Sequence, residues 1–145
     1  MPDRPIHILC VEDNDLVASA LETLVRTAPD LRFAGRLAMA DEMLAVVDAL
    51  TVDVVLLDLL MPGVDTMVEL RRLTAERPNV RVLVLSAYGD AATVDACLDS
   101  GAAGYFSKHC DTSELIDGIR AVMRGELAMD RMTRDHVFGR RGNGG

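Results

Sequence analysis

Five polar side chains stand where apolar stretches of this chain come to an end. Glu12 and Asp13 follow residues 6–11, Asp58 follows residues 54–57, Ser86 follows residues 80–85, and Lys108 follows residues 103–107. If the fold brings those ends to one place, three carboxylates meet an ammonium and a hydroxyl. Crowded carboxylates repel one another, and the simplest resident that relieves them is a hard divalent cation. Mg²⁺ suits such a site, because it takes one or two carboxylates and keeps several waters for exchange with phosphate oxygens. A cation there lowers the cost of building negative charge on Asp58, which could then attack a phosphorus centre and form an acyl phosphate. Lys108 would pair with the phosphoryl oxygens, and the Ser86 hydroxyl would hydrogen-bond another of them.

The elements that must position these groups are strands alternating with helices. Residues 6–11 form a first apolar strand. Leu16, Val17, Ala20, Leu21, Leu24 and Val25 then recur on one helix face, with Asn14 or Asp15 able to cap its start and Pro29 beyond its end. Residues 31–36 read as a weaker strand, and Met43, Leu44, Val46, Val47 and Leu50 predict a helix over 40–50. The strand ending at Asp58 is apolar on both faces, as at the centre of a parallel sheet, and Met61-Pro62-Gly63 turns the chain into a helix through Met67, Leu70 and Leu73. Pro78 stops that helix, and residues 80–86 form a fourth strand. Asp90 caps a helix carrying Val94 and Leu98, Gly101 ends it, and residues 103–107 make a short fifth strand. Residues 113–124 close the pattern with Leu115, Ile119 and Val122 on the buried side.

Five strands and five helices in alternation predict an α/β fold, a doubly wound five-stranded parallel sheet of the flavodoxin-like (βα)5 kind with strand order 2-1-3-4-5. Ligands of such sheets bind outside the carboxyl ends of the strands, where the five polar groups stand. The expected division is one domain over residues 5–124 and a charged C-terminal tail or linker over 125–145.

Composition excludes several functions. The 145 residues carry a net charge of −8, aromatics are 3% and Trp is absent, so neither a cationic phosphate-binding face nor a base-stacking platform is expected. No direct nucleic-acid contact by this segment follows. Cys10, Cys97 and Cys110 lie far apart without a CxxC pair or a leader, which predicts reduced, packed thiols. His7, His109 and His136 are too dispersed to form a metal or catalytic set. No apolar run approaches the ~18 residues of a membrane span, so a soluble, cytoplasmic protein without a membrane partner is expected.

Val11-Glu12-Asp13-Asn14, the stretch Asp58-Leu59-Leu60-Met61-Pro62-Gly63, Leu85-Ser86-Ala87 and the run Gly101-Ala102-Ala103-Gly104-Tyr105-Phe106-Ser107-Lys108 together resemble the receiver domain of bacterial two-component response regulators. The resemblance implies that Asp58 accepts a phosphoryl group from a sensor histidine kinase. It implies Mg²⁺ held by Asp13, Asp58 and the Leu60 backbone carbonyl, with Glu12 contacting the metal through water. It also implies a switch pair, Ser86 and Tyr105, in which Ser86 moves toward the phosphate, Tyr105 follows inward, and the surface of helix 4, strand 5 and helix 5 is remodelled. Taken alone, Tyr105 reads as a half-buried strand aromatic.

The glycine-rich approach to Lys108 and the closing helix resemble receivers of the NarL type, which usually precede a helix-turn-helix domain. Such relatives regulate transcription, and a kinase and an output domain or partner protein are the implied partners. Since no such domain follows the fifth helix, a stand-alone receiver or a fragment cut before its effector is expected. A homodimer would form through the first and fifth helices or through the helix 4 to helix 5 surface.

Two positions depart from the family pattern. His109 stands after Lys108 where many receivers have proline, so no cis peptide is expected there. Leu60, two residues past the nucleophile, is bulky and apolar and lies near the path of an attacking water, which should alter the phosphoryl lifetime. The rival reading, an aspartyl phosphatase of the haloacid dehalogenase type, needs a second aspartate at position 60 as general acid and base. A flavodoxin would cradle its phosphate in the first loop, which Glu12-Asp13-Asn14-Asp15 would repel. A receiver-like interaction module that is never phosphorylated is the remaining alternative. The main reading is therefore a phosphoacceptor switch, with self-phosphorylation and slow autodephosphorylation as its own chemistry.

Overall fold

The computed structural model describes residues 4–61, 65–87 and 90–144, of which 140–144 by backbone alone. Pro62 and Gly63 of the expected turn lie outside the described residues, as do the side chains of Arg140 and Arg141.

Strands and helices alternate along the chain: β1 Ile6–Val11, α1 Asp15–Thr27, β2 Leu31–Leu37, α2 Met43–Ala49, β3 Val54–Asp58, α3 Thr66–Glu76, β4 Arg81–Ser86, α4 Ala91–Asp99, β5 Gly104–Ser107, α5 Thr112–Met123, β6 Ala128–Met129 and α6 Arg131–Gly144. A single 3-10 turn, Ala40–Glu42, precedes α2, so the helix expected over 40–50 begins with a tighter turn. All strand pairs are parallel, in the order β2-β1-β3-β4-β5-β6.

Side chains alternate across the sheet and create two cores. Leu9, Val11, Val55, Leu57, Val82 and Val84 meet Met43 and Val47 of α2, Leu70 and Leu73 of α3, and Val94 and Cys97 of α4. On the opposite face, Ile6, Ile8, Val54, Leu56, Leu83 and Leu85 meet Val25 of α1 and Leu115, Ile119 and Val122 of α5. Each strand of the β1, β3 and β4 centre is covered on both sides, which is why their sequences are apolar almost without interruption. Burying a Leu or Val side chain contributes about 1.5–3 kcal/mol, so these two layers fix the register of the strands and with it the position of every strand end.

Helix starts are set by side-chain caps. Asn14 accepts from the Leu16 and Val17 N–H groups at 3.0 and 3.1 Å. Of the two candidate caps of α1, Asn14 takes the role, and Asp15 sits in the first turn paired with Arg36 at 2.8 Å. Asp65 caps α3 and Asp90 caps α4. Gly101 ends α4 at a φ of +105°, where a Cβ would lie 2.5 Å from the Thr74 hydroxyl oxygen.

The expectation of five strands is corrected here. Ala128 and Met129 pair with Gly104 and Tyr105, adding a sixth strand at the β5 edge, and α6 follows. Two residues are too short to show an alternation, and α6 buries only Thr133 and Val137 on its described side chains, one narrow i, i+4 stripe. The partner strand carries the accommodation: a Cβ on Gly104 would lie 2.6 Å from the Ala128 carbonyl oxygen, so the close approach of β6 needs glycine. Among the described residues no helix is long and apolar enough to cross a membrane.

Candidate functional site

The carboxyl ends of β1, β3, β4 and β5 converge on one edge of the sheet. Glu12 leaves β1 with its side chain buried, and Asp58 closes β3, also buried. Asp13, next to Glu12, is exposed, so its carboxylate faces solvent beside two that do not. Oxygens of Glu12, Asp13 and Asp58 all lie within 4.8 Å of one another. Lys108, just past β5, places its Nζ 2.9 Å from Glu12 Oε1 and 3.1 Å from Asp58 Oδ2.

The loops finish the arrangement. Asp58 Oδ1 accepts from the Leu60 N–H at 3.0 Å, and Glu12 Oε2 accepts from the Asn14 N–H at 3.1 Å. Each buried carboxylate thus has one oxygen held by a backbone donor and one by the lysine. Burial works against the charge of Lys108, but the carboxylates of Glu12 and Asp58 outweigh it and hold the ammonium above the ordinary lysine range. One ammonium is shared by two buried carboxylates while a third waits in solvent, so the edge has an excess of negative charge.

Ser86 and Tyr105 lie behind this edge, 2% and 0% exposed. The Ser86 backbone carbonyl accepts from the Lys108 N–H at 2.9 Å, so β4 and the lysine loop are tied directly. Tyr105 is fully buried rather than half-buried, and a hydrogen bond joins its hydroxyl to the Ser86 side chain. Burial pushes the Tyr105 phenol up, with the Ser86 hydrogen bond opposing the shift. The two residues expected to form a switch pair are therefore in contact, with the tyrosine already inside.

Leu60 offers its N–H to Asp58, and its side chain is 58% exposed beside the site. His109 is exposed, and its N–H donates to Ser107 Oγ at 3.1 Å. Cys10 and Cys97 are buried, and burial pushes their thiols up to about 12 and about 11, which fits packing rather than chemistry.

Arg36 is a contributor that spacing does not reveal. From β2 its Nε donates to the Glu12 carbonyl at 2.9 Å while its Nη1 pairs with Asp15, bracing the acidic loop from the sheet edge. The only signal in the sequence is a cation at the end of a weak strand, opposite four consecutive polar residues.

Hard oxygen donors in this number and spacing fit Mg²⁺. The haloacid dehalogenase layout finds no support, since position 60 presents a backbone donor and an apolar side chain.

Comparison with known proteins agrees with this geometry. The profile of the response regulator receiver domain matches residues 8–120. The chain is 27% identical over 135 residues to the transcriptional regulatory protein LiaR of Bacillus subtilis, covering 93% of this chain and 64% of LiaR. It is 29% identical over 121 residues to the response regulator GacA of Pseudomonas aeruginosa, covering 83% of this chain and 56% of GacA. The chain thus spans 56–64% of the length of these relatives. Among solved structures, a two-component response regulator of the LuxR family from Aurantimonas superposes with a TM-score of 0.89 at 25% identity, covering 95% of this chain and 99% of that one.

Proposed function

The chain belongs to the response regulator receiver domain family, and from that membership we propose that Asp58 is its phosphoacceptor, loaded by a sensor histidine kinase and used to switch a partner-binding surface. The observation that carries this reading is Lys108 Nζ held 3.1 Å from Asp58 at the mouth of a three-carboxylate cluster. An ammonium so placed meets the oxygens of a phosphoryl group arriving on Asp58.

In the transfer, a carboxylate oxygen of Asp58 forms a bond to phosphorus as the bond from phosphorus to the donor's imidazole nitrogen breaks. The imidazole leaves with the electron pair. Leu60 N–H fixes one carboxylate oxygen, and Lys108 shifts its pairing from the carboxylate to the phosphoryl oxygens. Asp13, Asp58 and the Leu60 carbonyl would hold Mg²⁺, with Glu12 reaching it through water. Mg²⁺, when bound, offsets the charge of carboxylates and phosphoryl group together. The Ser86 hydroxyl has one proton to give, so donating it to the phosphoryl group changes its bond to Tyr105. That exchange is the proposed switch.

The receiver unit is taken as residues 5–124 and residues 125–145 as a C-terminal tail or linker, whose β6 pairs with β5 and whose α6 places Val137 in the core. Names such as that of LiaR support an output in transcription regulation. Because β6 and α6 occupy the β5 edge and the side next to α4, the groove between α1 and α5 is left as an open apolar surface among the described residues. Leu16, Val17, Ala20, Leu21, Leu24 and Leu115 line about 480 Å³ there, which favours self-association through the first and fifth helices over the helix 4 to helix 5 route.

The test is intact mass after incubation with acetyl phosphate and Mg²⁺. A gain of one phosphoryl group in the wild type, absent in Asp58→Asn, is expected. No gain in the wild type overturns the reading.

A further inference from the structure

Of the two buried carboxylates that the chemistry described does not use, Asp53 and Asp130, only Asp130 has an oxygen without a hydrogen-bond partner among the described residues. Asp130 is 1% exposed, at the junction of β6 and α6. Its Oδ1 accepts from the Ser107 N–H at 3.2 Å, and its Oδ2, also buried, has no hydrogen-bond partner among the described residues. A buried carboxylate with an oxygen left unpaired costs stability, so its presence needs a reason.

The topology supplies one. β6 contributes only Ala128 and Met129 to the ladder, opposite Gly104 and Tyr105, and then turns into α6. Ser107, two residues beyond Tyr105, would otherwise face no acceptor on that side. The Asp130 carboxylate stands in for the strand residue that the turn removes. On the other side Ser107 pairs with Ser86, and the Lys108 N–H donates to the Ser86 carbonyl at 2.9 Å. The last residue of β5 is therefore gripped from β4 by backbone and from β6 by a side chain, one residue before the lysine that reaches Glu12 and Asp58.

Asp130 is itself held in place. Its carbonyl accepts from the Arg134 N–H at 3.0 Å, opening α6, and the neighbouring Arg131 N–H donates to Glu114 Oε2 of α5 at 2.7 Å. Val137, 1% exposed, anchors the same helix in the core beside Val94 and Cys97. The clamp on Ser107 thus draws rigidity from α5 and from the α4 layer.

We infer that Asp130 is a positioning residue for the phosphoryl site: through the Ser107 N–H it fixes the end of β5 and so the root of Lys108. This rests on the reading of Asp58 as phosphoacceptor. It gives the segment after α5 a task in the chemistry as well as in covering a sheet edge.

The test uses the full chain with Asp130→Ala, Asp130→Asn, Lys108→Ala and the Asp130→Ala/Lys108→Ala double variant. Amide hydrogen exchange, read without any phosphodonor, is expected to show Ser107 losing about tenfold of its protection in Asp130→Ala and keeping it in Asp130→Asn, which retains the accepting oxygen. Unchanged protection in Asp130→Ala overturns the assignment, whatever Asp58 does. Uptake from acetyl phosphate, measured well below the unfolding transition of the least stable variant, is expected to slow about fivefold in Asp130→Ala and to recover in Asp130→Asn. In the Lys108→Ala background the same change should cost nothing more, because no ammonium is left to place. An equal factor in both backgrounds, or equal slowing in Asp130→Asn, overturns the proposal. If the wild type takes up no phosphoryl group, the functional reading fails and the exchange result alone decides on Asp130. Should Asp130→Ala not fold, Asp130→Ser, whose shorter side chain withdraws the carboxylate from Ser107 while its hydroxyl can cap α6, replaces it in both readouts.

Discussion

Two aspartates bracket the central strand β3, one just before it and one at its end, and their surroundings are opposites. Asp53 is 8% exposed and Asp58 4%, so burial does not distinguish them. Asp53 is satisfied in full: Arg4 donates to both its oxygens at 2.7 and 3.0 Å, and the His7 N–H adds a third bond at 2.8 Å. Its environment contains one carboxylate for one guanidinium. At the other end, Asp58 shares a single ammonium with Glu12 while Asp13 stands within 4.8 Å. The same residue type on the same strand is neutralised at one edge and left in anionic excess at the other. A balanced carboxylate is a structural clamp, whereas an unbalanced one invites a cation and an electrophile.

Asp58→Asn should abolish phosphoryl uptake, more than about a hundredfold, because an amide is no nucleophile at phosphorus. Its thermal midpoint should hold or rise, since one member of a repelling set is removed; a loss of fold would break the contrast with Asp53. Lys108→Ala should slow uptake by about a hundredfold, the scale of losing one donor to the developing charge, measured as initial rate with acetyl phosphate. Asp53→Ala should do the reverse: uptake unchanged, stability lower by about 2 kcal/mol in urea denaturation, because the His7 N–H and the Arg4 fork lose their acceptor.

Acid sharpens the same comparison. Burial alone would raise the Asp53 pKa, but the hydrogen bonds from Arg4 and His7 outweigh it and hold the carboxyl below its ordinary 3.8. A depressed carboxyl adds stability that is present above the unfolded value and is lost as pH falls through the folded one. The stability gap between wild type and Asp53→Ala should therefore be constant above about pH 5 and shrink on titration below about pH 4. A gap that widens in acid would mean that Asp53 is not clamped. The smallest effect is expected at Leu60→Asn, a change of about two- to fivefold in the rate of autodephosphorylation, since Leu60 is exposed and it is its backbone N–H, which the substitution keeps, that meets Asp58.

Much of this contrast is visible in the amino-acid order. The run from Val54 to Asp58 has no polar residue on either face until its end, which places Asp58 at a strand terminus in a parallel sheet. The same logic brings Glu12, Ser86 and Lys108 to that edge; alternation predicts the parallel sheet but leaves its strand order open, and only the apolar β1 and β3 point to the centre that the observed order gives them. The sixth strand does not follow, because Ala128-Met129 is shorter than any periodicity and its pairing depends on the bare Gly104 opposite. Asp130 and Arg36 were equally hidden, since each acts on a backbone group of a distant residue, Ser107 and Glu12. No spacing rule records such bonds. The full burial of Tyr105 is likewise a product of packing, as β6 and α6 close a flank that five strands would leave open.

The claim at the centre is that the carboxyl edge of β3 is held ready for a cation and a phosphoryl group, and that the amino edge is not. Thermal unfolding with Mg²⁺ and beryllofluoride, a phosphoryl analogue, measures this directly. Ligands that bind only the folded state raise its midpoint by mass action. The midpoint should rise for the wild type and for Asp53→Ala by the same amount, and not at all for Asp58→Asn. No rise in the wild type, or an equal rise in Asp58→Asn, would contradict it.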